Sequence, residues 1–127
     1  MSLRSPLGRV LGSGSAKEGT DHWWAQRVSA IGLVFLGLWF LFSVNGLNLS
    51  DQGAVVQWMG STWNSVALLL LCVVLAYHSY LGVQVVIEDY VHSSSLKIAS
   101  LLMSKFAHIV AAVAASIAIL RVASGTS

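Results

Sequence analysis

From Gln52 to Ile87 the chain carries no charged side chain. As one helix that stretch would be about 54 Å long, nearly twice the ~30 Å hydrocarbon core of a bilayer. It must therefore break. Gly53–Gly60 is read as an interfacial helix or loop, ahead of a membrane span over about residues 63–88. Two more apolar runs flank it. Val28–Val44 has no charged residue, is preceded by Trp23 and Trp24 as interfacial anchors and ends at the turn-forming pair Asn45-Gly46. Ile98–Leu120 is apolar except for Lys105 and His108. The expected fold is an all-α membrane protein of three transmembrane helices, with spans over about 25–45, 63–88 and 97–121. These form one domain, 21–127, behind a flexible N-terminal arm, 1–20. The only proline is Pro6, so no sharp kink is expected in any span.

Composition agrees with a membrane domain. The chain is 9% charged, against about 25% in soluble domains, and its mean hydropathy is +0.75. A net charge of +2 is too small to suggest nucleic acid, and the single cysteine, Cys72, rules out a disulfide framework within the chain. The first twenty residues are glycine- and serine-rich, with scattered Arg4, Arg9 and Lys17. They hold no apolar core of a secretory signal. Their acid-poor start resembles a mitochondrial transit peptide, but the simpler reading is a cytoplasmic arm ordered by a partner subunit.

Basic residues set the expected orientation. Arg4, Arg9, Lys17 and Arg27 precede the first span and Lys97 follows the second, while the first connection carries only Asp51 and the C-terminal tail only Arg121. The positive-inside rule then makes the N-terminus cytoplasmic and the C-terminus periplasmic. Arg27 and the Glu88-Asp89-Tyr90 cluster are expected at one cytoplasmic rim.

Ionisable groups inside spans are costly and point to function. His78 lies about nine residues, roughly 14 Å, from the end of its span. A neutral imidazole there can bind a metal through one nitrogen while the other donates to an oxygen, as in axial ligation of a haem. It could equally hydrogen-bond a neighbouring helix. Gly82, one turn on, would leave room for a flat macrocycle. His108 could supply a second ligand, or a partner chain could. Arg27 suits an anionic group such as a haem propionate or lipid phosphate, or serves as an anchor. Asp89 and Tyr90 could hydrogen-bond a quinone oxygen. Lys105 is expected to snorkel to the cytoplasmic headgroups. No phosphate loop, Cys-x-x-Cys pair or nucleophile elbow is present.

Four pieces of sequence carry a resemblance: L-G-S-G-S-A-K-E-G-T-D-H-W-W at Leu11–Trp24, Q-R-V-S-A at Gln26–Ala30, H-S-Y-L-G-V-Q-V-V-I-E-D-Y at His78–Tyr90, and the L-K-I-A that opens the third span. With the three-span order, the chain resembles the hydrophobic membrane-anchor family of succinate dehydrogenase (respiratory complex II), in its alphaproteobacterial or mitochondrial-like branch. The resemblance implies that His78 is one axial ligand of haem b and that a second membrane anchor gives the other. His108 then has a packing or hydrogen-bonding role. Asp89 and Tyr90 match the family's ubiquinone pair, and Arg27 matches the arginine near the haem propionates. Just upstream, where relatives often have paired histidines or a His-Asp pair, this chain departs with Asp21-His22, and His22 is matched to the propionate or quinone side. FAD and the iron–sulfur clusters are expected only in the flavoprotein and iron–sulfur partner subunits.

The expected function is therefore a non-catalytic membrane anchor of succinate:ubiquinone oxidoreductase, in the bacterial inner membrane rather than the mitochondrial one. An anchor of a quinol:fumarate reductase would share fold and site. A small transporter or structural accessory subunit is the reading from another class. A transporter calls for polar lines on several helices, whereas the first span offers only Ser29 and Ser43 beyond its glycines.

Overall fold

The computed structural model describes residues 16–125, with side chains from residue 19. Most of the expected arm, including Arg4 and Arg9, lies outside the described residues. Four helices are present: α1 (Ala16–Asn45), α2 (Gln52–Gly60), α3 (Thr62–Tyr90) and α4 (Ser94–Ala123). Three of them, α1, α3 and α4, are long and apolar enough to cross a membrane, and the described residues contain no strand. The helix leading into the first span is already formed at Ala16. No proline interrupts this segment.

The charge-free stretch breaks where the length argument requires. Asp51 caps α2, its carboxylate accepting from the backbone N–H of Gly53 (2.9 Å) and Ala54 (3.3 Å). Ser61 leaves the helical region at φ −64°, ψ 127°, which ends α2 and starts α3. The corner is pinned by side chains: Asn64 Nδ2 donates to Trp58 O at 2.8 Å, and Ser65 Oγ donates to Met59 O. The Trp58 ring stacks on Trp39 (6.1 Å between centroids, 15° between planes) and its Nε1–H donates to Ser43 Oγ at 2.8 Å. It thus ties α2 to the end of α1, whereas Trp63 stays 71% exposed. Trp58→Ala is expected to free this end by about 2 kcal/mol, up to about 30-fold in local opening. Trp58→Phe keeps the stack and loses only a hydrogen bond, worth about 1 kcal/mol. Limited proteolysis of the 46–51 connection in detergent distinguishes the two variants.

The spans form a layer with α3 in the middle: α3 packs against both α1 and α4, and α1 and α4 do not meet. Gly32 lies at the α1–α3 seam, where an added Cβ would be 3.6 Å from Val74. Gly60 brings α2 close to the end of α4, with Ala123 O 3.4 Å from the position of an added Cβ. Between α3 and α4 the turn is short, and Lys97 Nζ donates to Glu88 O at 2.9 Å, satisfying a carbonyl of the last turn of α3. Only Ser29, Ala67 and Leu81 are buried among the described residues. A three-helix layer has almost no interior of its own.

Candidate functional site

Helices α1 and α3 are antiparallel, and two contacts set their register. Ser29 faces His78, and an added Cβ on Gly82 would meet Gln26 Nε2 at 3.8 Å. In that register a polar line on α1 (His22, Gln26, Ser29) faces the half of α3 that carries His78. A groove of ≈ 530 Å³ opens between the helices, lined by His22, Gln26, Arg27, Ala30, His78 and Val85, among others. Arg27 is held over the Trp23 ring, 5.4 Å from its centroid, a cation–π contact that steers the guanidinium along the groove wall. Two polar atoms of the lining, His22 Nε2 and Gln26 Oε1, are buried with no hydrogen-bond partner among the described residues. Such atoms cost free energy until a ligand or neighbour pairs with them.

The two histidines within spans differ in how they are satisfied. His108 is engaged at both nitrogens: Nδ1 lies 2.7 Å from Ser104 O and Nε2 3.2 Å from Ser79 Oγ. The carbonyl can only accept, so Nδ1–H donates to it and Nε2 accepts from the Ser79 hydroxyl. His108 is thereby a link between α4 and α3, with no nitrogen left for a metal. His78 makes one such contact, Nδ1 to Ser29 Oγ at 2.9 Å, and its Nε2 has no partner among the described residues. The donor set of the groove therefore fits a haem: one imidazole nitrogen open to a metal, with a guanidinium and an unsatisfied imidazole nitrogen beside it for carboxylates.

His22, Arg27 and His78 thus line one groove. Gly82 adjoins it through Gln26, and because an alanine there would meet only ordinary contact, the glycine faces α1 rather than open space. Asp89 and Tyr90 are not brought to the groove. Both are exposed, Tyr90 to 78%, at the last turn of α3. The register puts Arg27 level with about residue 80, so Asp89 lies about 13 Å further along the axis. The two share an end of the layer but not a rim. Lys105 is exposed and lines an apolar groove on the other seam with Tyr77, Tyr80 and His108.

Sequence reasoning gave no site role to Gln26 or Ser29. The signal was present in the spacing: His22, Gln26 and Ser29 recur at i, i+4 and i+7, one helical face.

Residues 1–119 match the family described as succinate dehydrogenase/fumarate reductase transmembrane subunit. A succinate dehydrogenase hydrophobic membrane anchor subunit from Rickettsia bellii (strain RML369-C) is 34% identical over 117 residues, covering 92% of this chain and 94% of that one. The membrane anchor subunit from Reclinomonas americana is 34% identical over 91 residues (68% and 75%), and the hydrophobic membrane anchor subunit from Paracoccus denitrificans 33% over 99 residues (78% and 77%). No solved structure matches. The chain belongs to the succinate dehydrogenase/fumarate reductase transmembrane subunit family, among its alphaproteobacterial and mitochondrial-like membrane anchors, which are non-catalytic subunits of an enzyme complex.

Proposed function

We propose that this chain anchors a succinate:ubiquinone oxidoreductase in the bacterial inner membrane, holds one side of a haem b and forms one wall of the ubiquinone site. The observation that carries the haem assignment is the contrast between the histidines: Nε2 of His78 is unengaged beside the groove, while His108 is engaged at both nitrogens. His78 would bind the iron through Nε2, with Arg27 and His22 facing the propionates and Gly82 letting Gln26 lie close to α3 at the groove. A bound haem supplies a one-electron store near the middle of the membrane. The groove is walled by α1 and α3 alone, which supports a second membrane anchor that closes it and gives the other axial ligand.

At the cytoplasmic end of α3, Tyr90 donates its O–H to a carbonyl oxygen of ubiquinone, and Asp89 holds the phenol or relays a proton to it. Quinone reduction needs two electrons and two protons, and a site at the exit of a span has water within reach. The electrons come from flavoprotein and iron–sulfur subunits docked on that face. The distribution of Arg27, Lys97 and Arg121 supports a cytoplasmic N-terminus and periplasmic C-terminus.

The test is purification of the tagged chain in mild detergent. A flavoprotein, an iron–sulfur subunit and a second small membrane subunit are expected to co-purify, with a b-type band in the dithionite-reduced spectrum. A chain recovered alone, or a complete complex without haem, would overturn the anchor or the haem assignment respectively.

A further inference from the structure

Among the described residues, Ser29 is the one polar residue buried as a whole, at 6% exposure, and it lies between α1 and α3. Its hydroxyl has three neighbours: Ala25 O at 2.7 Å and Gln26 O at 3.1 Å on its own helix, and His78 Nδ1 at 2.9 Å across the seam. A hydroxyl carries one proton, and carbonyl oxygens carry none. Two oxygens 2.7 Å apart with no proton between them would repel, so the Ser29 proton points to Ala25 O. The hydroxyl oxygen can then only accept from His78, which places the imidazole proton on Nδ1. A neutral imidazole has a single N–H, so Nε2 presents a lone pair.

From this we infer that Ser29 is a positioning residue for the haem ligand, fixing both the tautomer of His78 and its strength as a donor. The inference rests on the reading of His78 as an axial ligand. Ser29 is the one hydrogen-bond partner of the His78 ring among the described residues; without it nothing there selects Nδ1–H over Nε2–H, and only the first binds iron through Nε2. Donation from Nδ1–H also raises the basicity of the coordinating nitrogen. A more basic ligand favours the ferric over the ferrous state and lowers the reduction potential. The Ser29 oxygen is a better acceptor because its own proton is committed to Ala25 O, so the two bonds polarise each other. Ser79 meets His108 in the opposite sense, as a donor to Nε2, and that arrangement leaves no nitrogen open.

The test uses the purified complex carrying Ser29→Ala or Ser29→Thr. A hydrogen-bonding partner of a metal ligand is worth roughly tenfold or more. The more basic ligand favours the ferric state, so a tenfold loss of affinity falling on that state in Ser29→Ala is expected to raise the haem midpoint potential by about 59 mV, the equivalent of tenfold for one electron. Ser29→Thr restores the hydroxyl and is expected to stay near wild type in an optically followed redox titration. A merely structural serine would not give a potential that follows the hydroxyl. Should Ser29→Ala titrate like wild type while His78→Ala loses the haem, the inference fails and the ligand assignment stands; haem retained by His78→Ala overturns the assignment itself. A haem-independent readout covers the case in which Ser29→Ala does not assemble: ¹⁵N NMR of histidine-labelled wild-type complex from haem-starved cells. His78 is expected as the Nδ1–H tautomer, and an Nε2–H ring there would overturn the inference.

Discussion

Replacing His78 by alanine is expected to abolish the reduced b-type band of the purified complex, while His108→Ala leaves it in place. The expectation follows from how each ring is engaged. His108 uses Nδ1 on Ser104 O and Nε2 on Ser79 Oγ, so its loss removes a link between α3 and α4 and no metal ligand. Such links inside membranes average about 0.6 kcal/mol, too little to unseat a cofactor on the far side of α3. His78 keeps Nε2 unengaged beside the groove. Loss of a ligand's hydrogen-bonding partner alone costs roughly 10–100-fold in metal affinity, which sets a floor for loss of the ligand itself. Haem per flavin, from paired spectra of the same preparations, is the measurement. A wild-type ratio in His78→Ala, or an equal fall in both variants, would sink the assignment.

Tyr90→Phe is expected to slow quinone reduction by about 100-fold, the lower range for removing a proton-transferring group. Succinate oxidation measured with an acceptor that draws electrons directly from the soluble subunits is expected to be unchanged. The structure makes this a clean substitution. Tyr90 is 78% exposed on the last turn of α3 and its hydroxyl bonds nothing among the described residues, so the fold has little to lose. Exposed substitutions of this kind usually stay within about 0.5 kcal/mol. A large loss confined to the quinone step would therefore report chemistry at the phenol. Equal quinone turnover in wild type and Tyr90→Phe would remove Tyr90 from the site and leave the haem assignment untouched.

The lengths of the apolar runs were legible in the sequence because the bilayer's thickness is a fixed ruler. The charge-free stretch had to break near Gly53–Gly60, and it does so at Ser61, which leaves the helical region right after Gly60. Rotation of each helix about its axis was much less legible. In water an amphipathic stripe reveals the buried face. Here α1, α3 and α4 are apolar over most of their circumference, with few polar residues to mark a face, since lipid and protein neighbours ask for the same side chains. The pairing of Ser29 with His78, and of His108 with Ser79 and Ser104, therefore had to be seen in the structure. A small transporter, consistent with spans that contain histidines, is set aside by the family match over residues 1–119.

A layer one helix thick also bears on what happens to surplus copies of this chain. His22 and Gln26 each leave a polar atom unpaired among the described residues in a groove walled by α1 and α3 alone, and uncompensated polar groups are costly in hydrocarbon. On the proposed function, a copy without its neighbours would present this polar seam to lipid, and any quality control that reads such a seam would tie the abundance of the chain to theirs.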